Sequence, residues 1–164
     1  MPRRRPHRGL TLIELVAVLG IVALLLTLAL PSFAGMLSRH RLKATAEQLA
    51  MDLGELRLQA AQRAVPLHLD VQPGAQWCWA LAVAAGCDCR VPQGCQMKTV
   101  RAQQYPGVRL AEAQPMRIDP QPGASSGAVL LQAADGQQLR VAISPLGRPK
   151  VCAPAGAVPG YPAC

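Results

Sequence analysis

Gly9-Leu10-Thr11-Leu12-Ile13-Glu14-Leu15 opens the stretch that decides the fold, and an uncharged run follows it to Ser38. The 24 residues from Leu15 to Ser38 include Val16, Val18, Leu19, Ile21, Val22, Leu24, Leu25, Leu26, Leu28 and Leu30. As a helix rising about 1.5 Å per residue, this run exceeds the roughly 30 Å of a bilayer core. Ahead of it, residues 1–9 carry Arg3, Arg4, Arg5 and Arg8 and no acid. A basic flank on that side predicts a cytoplasmic N-terminus and export of everything beyond the apolar run. A cleavable secretory signal is the first rival reading. Pro31-Ser32-Phe33-Ala34-Gly35 offers it only an imperfect small-residue cleavage site. A twin-arginine export signal fits less well, because Glu14 interrupts the start of the apolar stretch. A carboxylate at the edge of a membrane helix costs a few kcal/mol to insert and marks a functional position. The bland reading is that Glu14 sits solvated at headgroup depth.

The 164 residues hold 17 Lys+Arg and 9 Asp+Glu, a net charge of +8. Without the four leader arginines the balance is 13 against 9, or +4. Only five residues are aromatic: Phe33, Trp77, Trp79, Tyr105 and Tyr161. The length suits one modest domain, and an apolar fraction of 51% excludes an ordinary disordered chain. The count of 14 Gly and 15 Pro is high for a compact enzyme domain.

Past Arg39, His40, Arg41 and Lys43 the helix is expected to continue over residues 39–65. Apolar residues fall at Leu42, Ala46, Leu49, Leu53, Leu56 and Ala60, alternating steps of four and three that make a helical stripe. The charges of Glu47, Asp52, Glu55, Arg57 and Arg63 are expected on its other faces. A coiled coil would need more heptads than this stripe supplies, so packing on a sheet is expected. Pro66 disfavours helix in the residue before it and sets the end near Ala64. Beyond lie short strand signals at 67–71, 76–83, 107–111, 116–119, 127–133 and 138–144. Asp135-Gly136 marks a tight hairpin between the last two, and residues 120–127 read as a loop. His40 and His68 have no ligand spacing. Trp77 and Trp79 would share one face of a strand, as core or as a platform for stacked bases.

The junction Gly9-Leu10-Thr11-Leu12-Ile13-Glu14-Leu15 resembles the class III leader of type IV pilins and type II secretion pseudopilins. The resemblance implies that a prepilin peptidase cuts after Gly9 and methylates the new N-terminus at Leu10, where the family more often has Phe. Glu14 then falls at the family's fifth mature position, and Pro31 where a helix-kinking proline is common. Physics agrees with the carry-over. A cationic amine on Leu10, buried in a membrane or filament core, is tolerable only when paired. Glu14 of a neighbouring subunit would supply the pair and fix the stagger. The implied fold is α+β, a pilin fold with a long helix on a small, mostly antiparallel β domain. Its parts would be residues 1–9 as leader, 10–38 as transmembrane and filament-core helix, 39–65 as amphipathic helix, and 66–164 as periplasmic β domain. The layout points to the H-type pseudopilin and FimT-like minor pilin branch.

Six cysteines, Cys78, Cys87, Cys89, Cys95, Cys152 and Cys164, all follow the apolar run, as expected of disulfides formed in an oxidising periplasm. Six allow 15 connectivities. The resemblance implies Cys152 with Cys164, closing a Pro/Gly-rich C-terminal loop, and leaves four to staple the Trp77-Cys78-Trp79 strand to the loop at 86–96. A metal site on Cys87, Cys89 and Cys95 lacks the paired C-x-x-C spacing of zinc ribbons, and no C-x-x-C is present for a thiol oxidoreductase. No nucleophile elbow, triad, phosphate loop or dinucleotide fingerprint occurs. Neither enzyme activity, a cofactor nor a metal is expected.

After Val100, six basic residues face three acids. Among them Gly147-Arg148-Pro149-Lys150, after the last strand, resembles the Gly-Arg-x-Arg motif of DNA-binding FimT-like pilins, with Lys150 in place of the second arginine. Arg148, Lys150 and Arg140 are the candidate phosphate contacts, which would bind double-stranded DNA without reading sequence. The expected function is a minor pilin or pseudopilin subunit with DNA binding for uptake through this basic loop. Its partners would be the prepilin peptidase, other pilin subunits and the inner membrane. The alternative is a purely structural H-type pseudopilin of a type II secretion system.

Overall fold

The computed structural model describes residues 11–164 apart from 75, 93, 122–124, 145 and 157, and all described side chains but those of residues 28–32. It begins with a 52-residue helix, α1 (Leu12–Arg63). Eight strands follow: β1 (Leu67–Gln72), β2 (Cys78–Ala82), β3 (Gln96–Arg101), β4 (Val108–Ala113), β5 (Met116–Ile118), β6 (Ala128–Ala133), β7 (Gln138–Ile143) and β8 (Pro149–Cys152). Two antiparallel four-stranded sheets result, in the orders β3-β2-β1-β5 and β4-β6-β7-β8.

The first turn of α1 is capped by Thr11, whose hydroxyl accepts the Glu14 N–H at 3.3 Å. Thr, then Glu three residues later, is the spacing of a capping box, and the carboxylate suits the positive end of the helix. At the other end Ala64 takes φ +54°, the left-handed position that closes many helices. α1 continues through position 31, where Pro31 lies among the residues whose side chains are not described.

The chain divides into two units, residues 1–36 and 37–164. In the first, every large apolar residue described from Leu12 to Leu26 is 45–82% exposed. Among the described residues no helix is long and apolar enough to cross a membrane. The apolar run of the sequence includes residues 28–32, which lie outside the described side chains. In the second unit, Leu42, Ala46, Leu49, Leu53, Leu56 and Ala60 are all within 1% of full burial, so the stripe is the core face of α1. They meet Leu67, Leu69, Trp79 and Leu81 of one sheet and Leu110, Leu131, Leu139 and Val141 of the other in a single cluster.

Asp52 departs from expectation. It lies wholly buried beside this stripe, where Trp79 Nε1, Gln48 Nε2 and Lys98 Nζ donate to its carboxylate at 2.8, 2.8 and 2.7 Å. Trp77 and Trp79 are likewise in the core, stacked with centroids 5.2 Å apart, so neither offers a face to a base.

Candidate functional site

Of the N-terminal residues singled out, Gly9 and Leu10 lie outside the described residues. Glu14 stands exposed in the first turn of α1.

The C-terminal basic segment is built differently from the loop expected. Ser144 is tied to Gly147 and Arg148: Gly147 N–H donates to Ser144 O at 2.7 Å, Ser144 N–H to Arg148 O at 2.9 Å, and Arg148 N–H to Ser144 Oγ at 3.1 Å. Pro149 and Lys150 then belong to β8, an edge strand paired with β7 through Ile143–Pro149 and Ala142–Lys150. A proline as first residue of an edge strand removes no ladder hydrogen bond that the sheet needs. Gly147 has φ +74° and is buried, with a Cβ there 3.2 Å from Arg57 Nε of α1. Pro149 shares a small cavity with Gly54, Arg57, Leu58 and Ala61 of the helix.

This register sorts the cations. Lys150 faces Ala142, two residues from Arg140, so both project from the same side of β7–β8, and Arg148 immediately precedes β8. All three are exposed, and among the described residues none forms an ion pair. Two cavities adjoin on this side and share Ala142 and Ile143. One, of about 410 Å³, is edged by Arg140 and Glu112; the other, of about 480 Å³, by Lys150. Their linings mix polar and aliphatic residues and include no aromatic ring. The arrangement can hold anions by charge but cannot stack bases.

The cysteines pair as Cys78–Cys89, Cys87–Cys95 and Cys152–Cys164. Only the first ties the tryptophan-bearing strand to the following loop; Cys87–Cys95 closes that loop on itself. Asp70, buried in β1, helps by accepting the Gly86 and Cys87 N–H groups, both at 3.2 Å. Together these cover the outer side of β2, which explains why all five of its residues are buried. Among the described residues no group of three or more His, Cys, Asp or Glu could hold a metal.

The third bridge closes a C-terminal loop that docks on α1. Tyr161 Oη donates to Glu47 at 2.6 Å, Lys43 Nζ donates to Pro159 O, and Lys43 sits 5.6 Å from the Tyr161 ring centre. Burial first, then the hydrogen bond to Glu47, pushes the Tyr161 phenol up to about 12. Sequence reasoning missed Lys43, Glu47 and Arg57 as packing partners, since each meets a segment about ninety or more residues away.

The prokaryotic N-terminal methylation motif matches residues 4–30. Among solved structures the chain resembles the type IV minor pilin FimU of Pseudomonas aeruginosa, with a TM-score of 0.55 and 15% sequence identity. The match covers 75% of this chain and 96% of that one. No curated protein matches the sequence. The fold is therefore pilin-like, an α+β arrangement with disulfides. The chain thus joins a prokaryotic N-terminal methylation motif to a fold similar to that of a type IV minor pilin.

Proposed function

We propose that this chain is a minor subunit of a type IV pilus, made as a precursor, cut after Gly9, methylated on Leu10 and held in the inner membrane until assembly. The observation that carries the reading is a methylation motif at residues 4–30 joined to a pilin-like fold. The exposed apolar surface from Leu12 to Leu26 supports it, because a contiguous apolar surface of this extent marks contact with lipid or protein. The residues beyond the anchor would lie in the periplasm, consistent with three disulfides. Glu14 of one subunit would neutralise the amine on Leu10 of the next. Its place at the exposed start of α1 leaves it available to do so. Deleting the chain should reduce pilus assembly and leave protein secretion intact; a secretion defect with normal pili would instead favour a pseudopilin.

A specific observation favours a second activity, binding of double-stranded DNA. Arg140 and Lys150 share one side of β7–β8, Arg148 immediately precedes β8, and among the described residues none of the three has an ion-pair partner. Phosphate contacts of this kind weaken steeply with salt and do not read sequence. Lys150 supplies a point charge where an arginine would supply a fork. Duplex binding measured against salt concentration should show a shallower slope and lower affinity in Arg148→Ala/Lys150→Ala. Equal binding by wild type and variant would remove this site.

A further inference from the structure

We propose that the cleft beside the Cys78–Cys89 disulfide binds an acidic sugar, with its carboxylate or phosphate between Arg90 and Arg101 and its hydroxyls on Gln76 and Gln103. The cleft lies on the sheet opposite to the one bearing Arg140 and Lys150, and the inference does not depend on the pilus reading. It is lined by Gln76, Trp77, Cys78, Arg90, Arg101 and Gln103 and encloses about 290 Å³. That is room for roughly ten waters at ~30 Å³ each and sits near the lower end of small-ligand pockets. No acid is among its lining residues.

Both guanidiniums line the cleft and are tethered by hydrogen bonds. Arg90 donates through Nε to Asp88 Oδ1 at 3.1 Å and through a terminal nitrogen to Gln72 Oε1 at 3.2 Å. Arg101 donates to Cys89 O at 3.3 Å. Each guanidinium has five N–H donors, so most remain without a protein acceptor among the described residues. Asp88, held below the usual carboxylate range by its hydrogen bonds with Arg90, offsets only one of the two charges.

The disulfide is what assembles the pair. Arg101 faces Cys78 across β2–β3, and the bridge pins Cys89, the residue before Arg90, against that same strand end. Two cations brought together and left with spare donors make a seat for an oxyanion, and planar forks suit carboxylate and phosphate alike. The amides of Gln76 and Gln103 already meet at 2.9 Å on the rim. Between them they retain further donors and an acceptor, the set that a sugar hydroxyl requires. Trp77 supplies no polar group here, because its Nε1 donates to Val108 O at 2.7 Å.

The test uses the full chain in detergent micelles, titrated with glucuronate and with glucose 6-phosphate. Binding is read by calorimetry and by fluorescence of Trp77 and Trp79, the two tryptophans of the chain. Saturable binding of one or both acidic sugars is expected, and the tighter of the two identifies the oxyanion. Glucose should bind about ten-fold more weakly or worse, the effect of losing a charge-assisted hydrogen bond. Arg101→Gln and Arg90→Gln should each weaken binding by about the same factor, with Arg148→Ala/Lys150→Ala unchanged. Arg90 and Gln103 are exposed, so Arg90→Gln and Gln103→Ala keep the test open if Arg101→Gln fails to fold. The assignment is overturned if neither acidic sugar saturates the folded protein, if glucose binds as tightly, or if the arginine variants bind undiminished. Occupancy of the cleft by a short DNA duplex in place of the sugars would also overturn it.

Discussion

Asp52 lies on α1 with no exposed surface, and three donors converge on it. Breaking a buried polar network by removing one member leaves the others stranded, and an unsatisfied buried donor costs about 1–3 kcal/mol. In Asp52→Ala the Trp79 indole N–H loses its acceptor inside the core. Lys98, whose side chain is 39% exposed, can turn to water. A loss of about 2–3 kcal/mol follows, read as a lower denaturant midpoint, with Asp52→Asn less affected. An unchanged midpoint would mean the network contributes nothing. None of this was legible locally. Heptad steps place Asp52 off the apolar stripe, and its donors Trp79 and Lys98 arrive from 27 and 46 residues away. The stripe itself was fully legible, because periodicity is a local property of the helix.

At the scale of elements, the strands that alternate apolar and polar residues were readable, and β3 and β8 were not. Gln96-Met97-Lys98-Thr99-Val100-Arg101 follows the cysteine loop and buries only Val100 deeply, so its pattern is too polar to declare a strand. Pro149-Lys150-Val151-Cys152 begins with proline and a charge, features that protect a sheet edge and disguise it as a loop. That disguise hid the strand pairing of the basic segment. The C-terminal loop gives a prediction at this scale. The folded Tyr161 phenol ionises near 12, against about 10 when unfolded. Its contribution is therefore complete below pH ~10 and lost as pH rises toward 12. Lys98, raised chiefly by its hydrogen bond to Asp52, acts in the same direction. Thermal stability should fall across that window, and Tyr161→Phe should make the fall shallower. An identical alkaline profile in Tyr161→Phe would show that the loop is not held through this hydroxyl.

For the molecule as a whole, the two units obey different rules. Residues 37–164 close a single core from one helix face and two sheets, fastened by three disulfides over short separations of 8 to 12 residues. Each such bridge is worth about 2–3 kcal/mol in the chain-entropy view. Residues 12–26 leave their apolar side chains uncovered. The methylation motif was legible in that contrast: a short basic segment, a glycine, a lone glutamate and an uncharged run are contiguous in sequence. The Arg90–Arg101 cleft was not, because it needs a disulfide and a strand pairing that spacing alone does not specify. Processing at Gly9 is the step on which the proposed pilus role depends. Its direct test is the intact mass of the chain recovered from cells that make pili. A mass equal to residues 10–164 plus one methyl group is the predicted result. An uncut chain, an unmethylated one, or a cut near Ala34 that frees the β domain would contradict it.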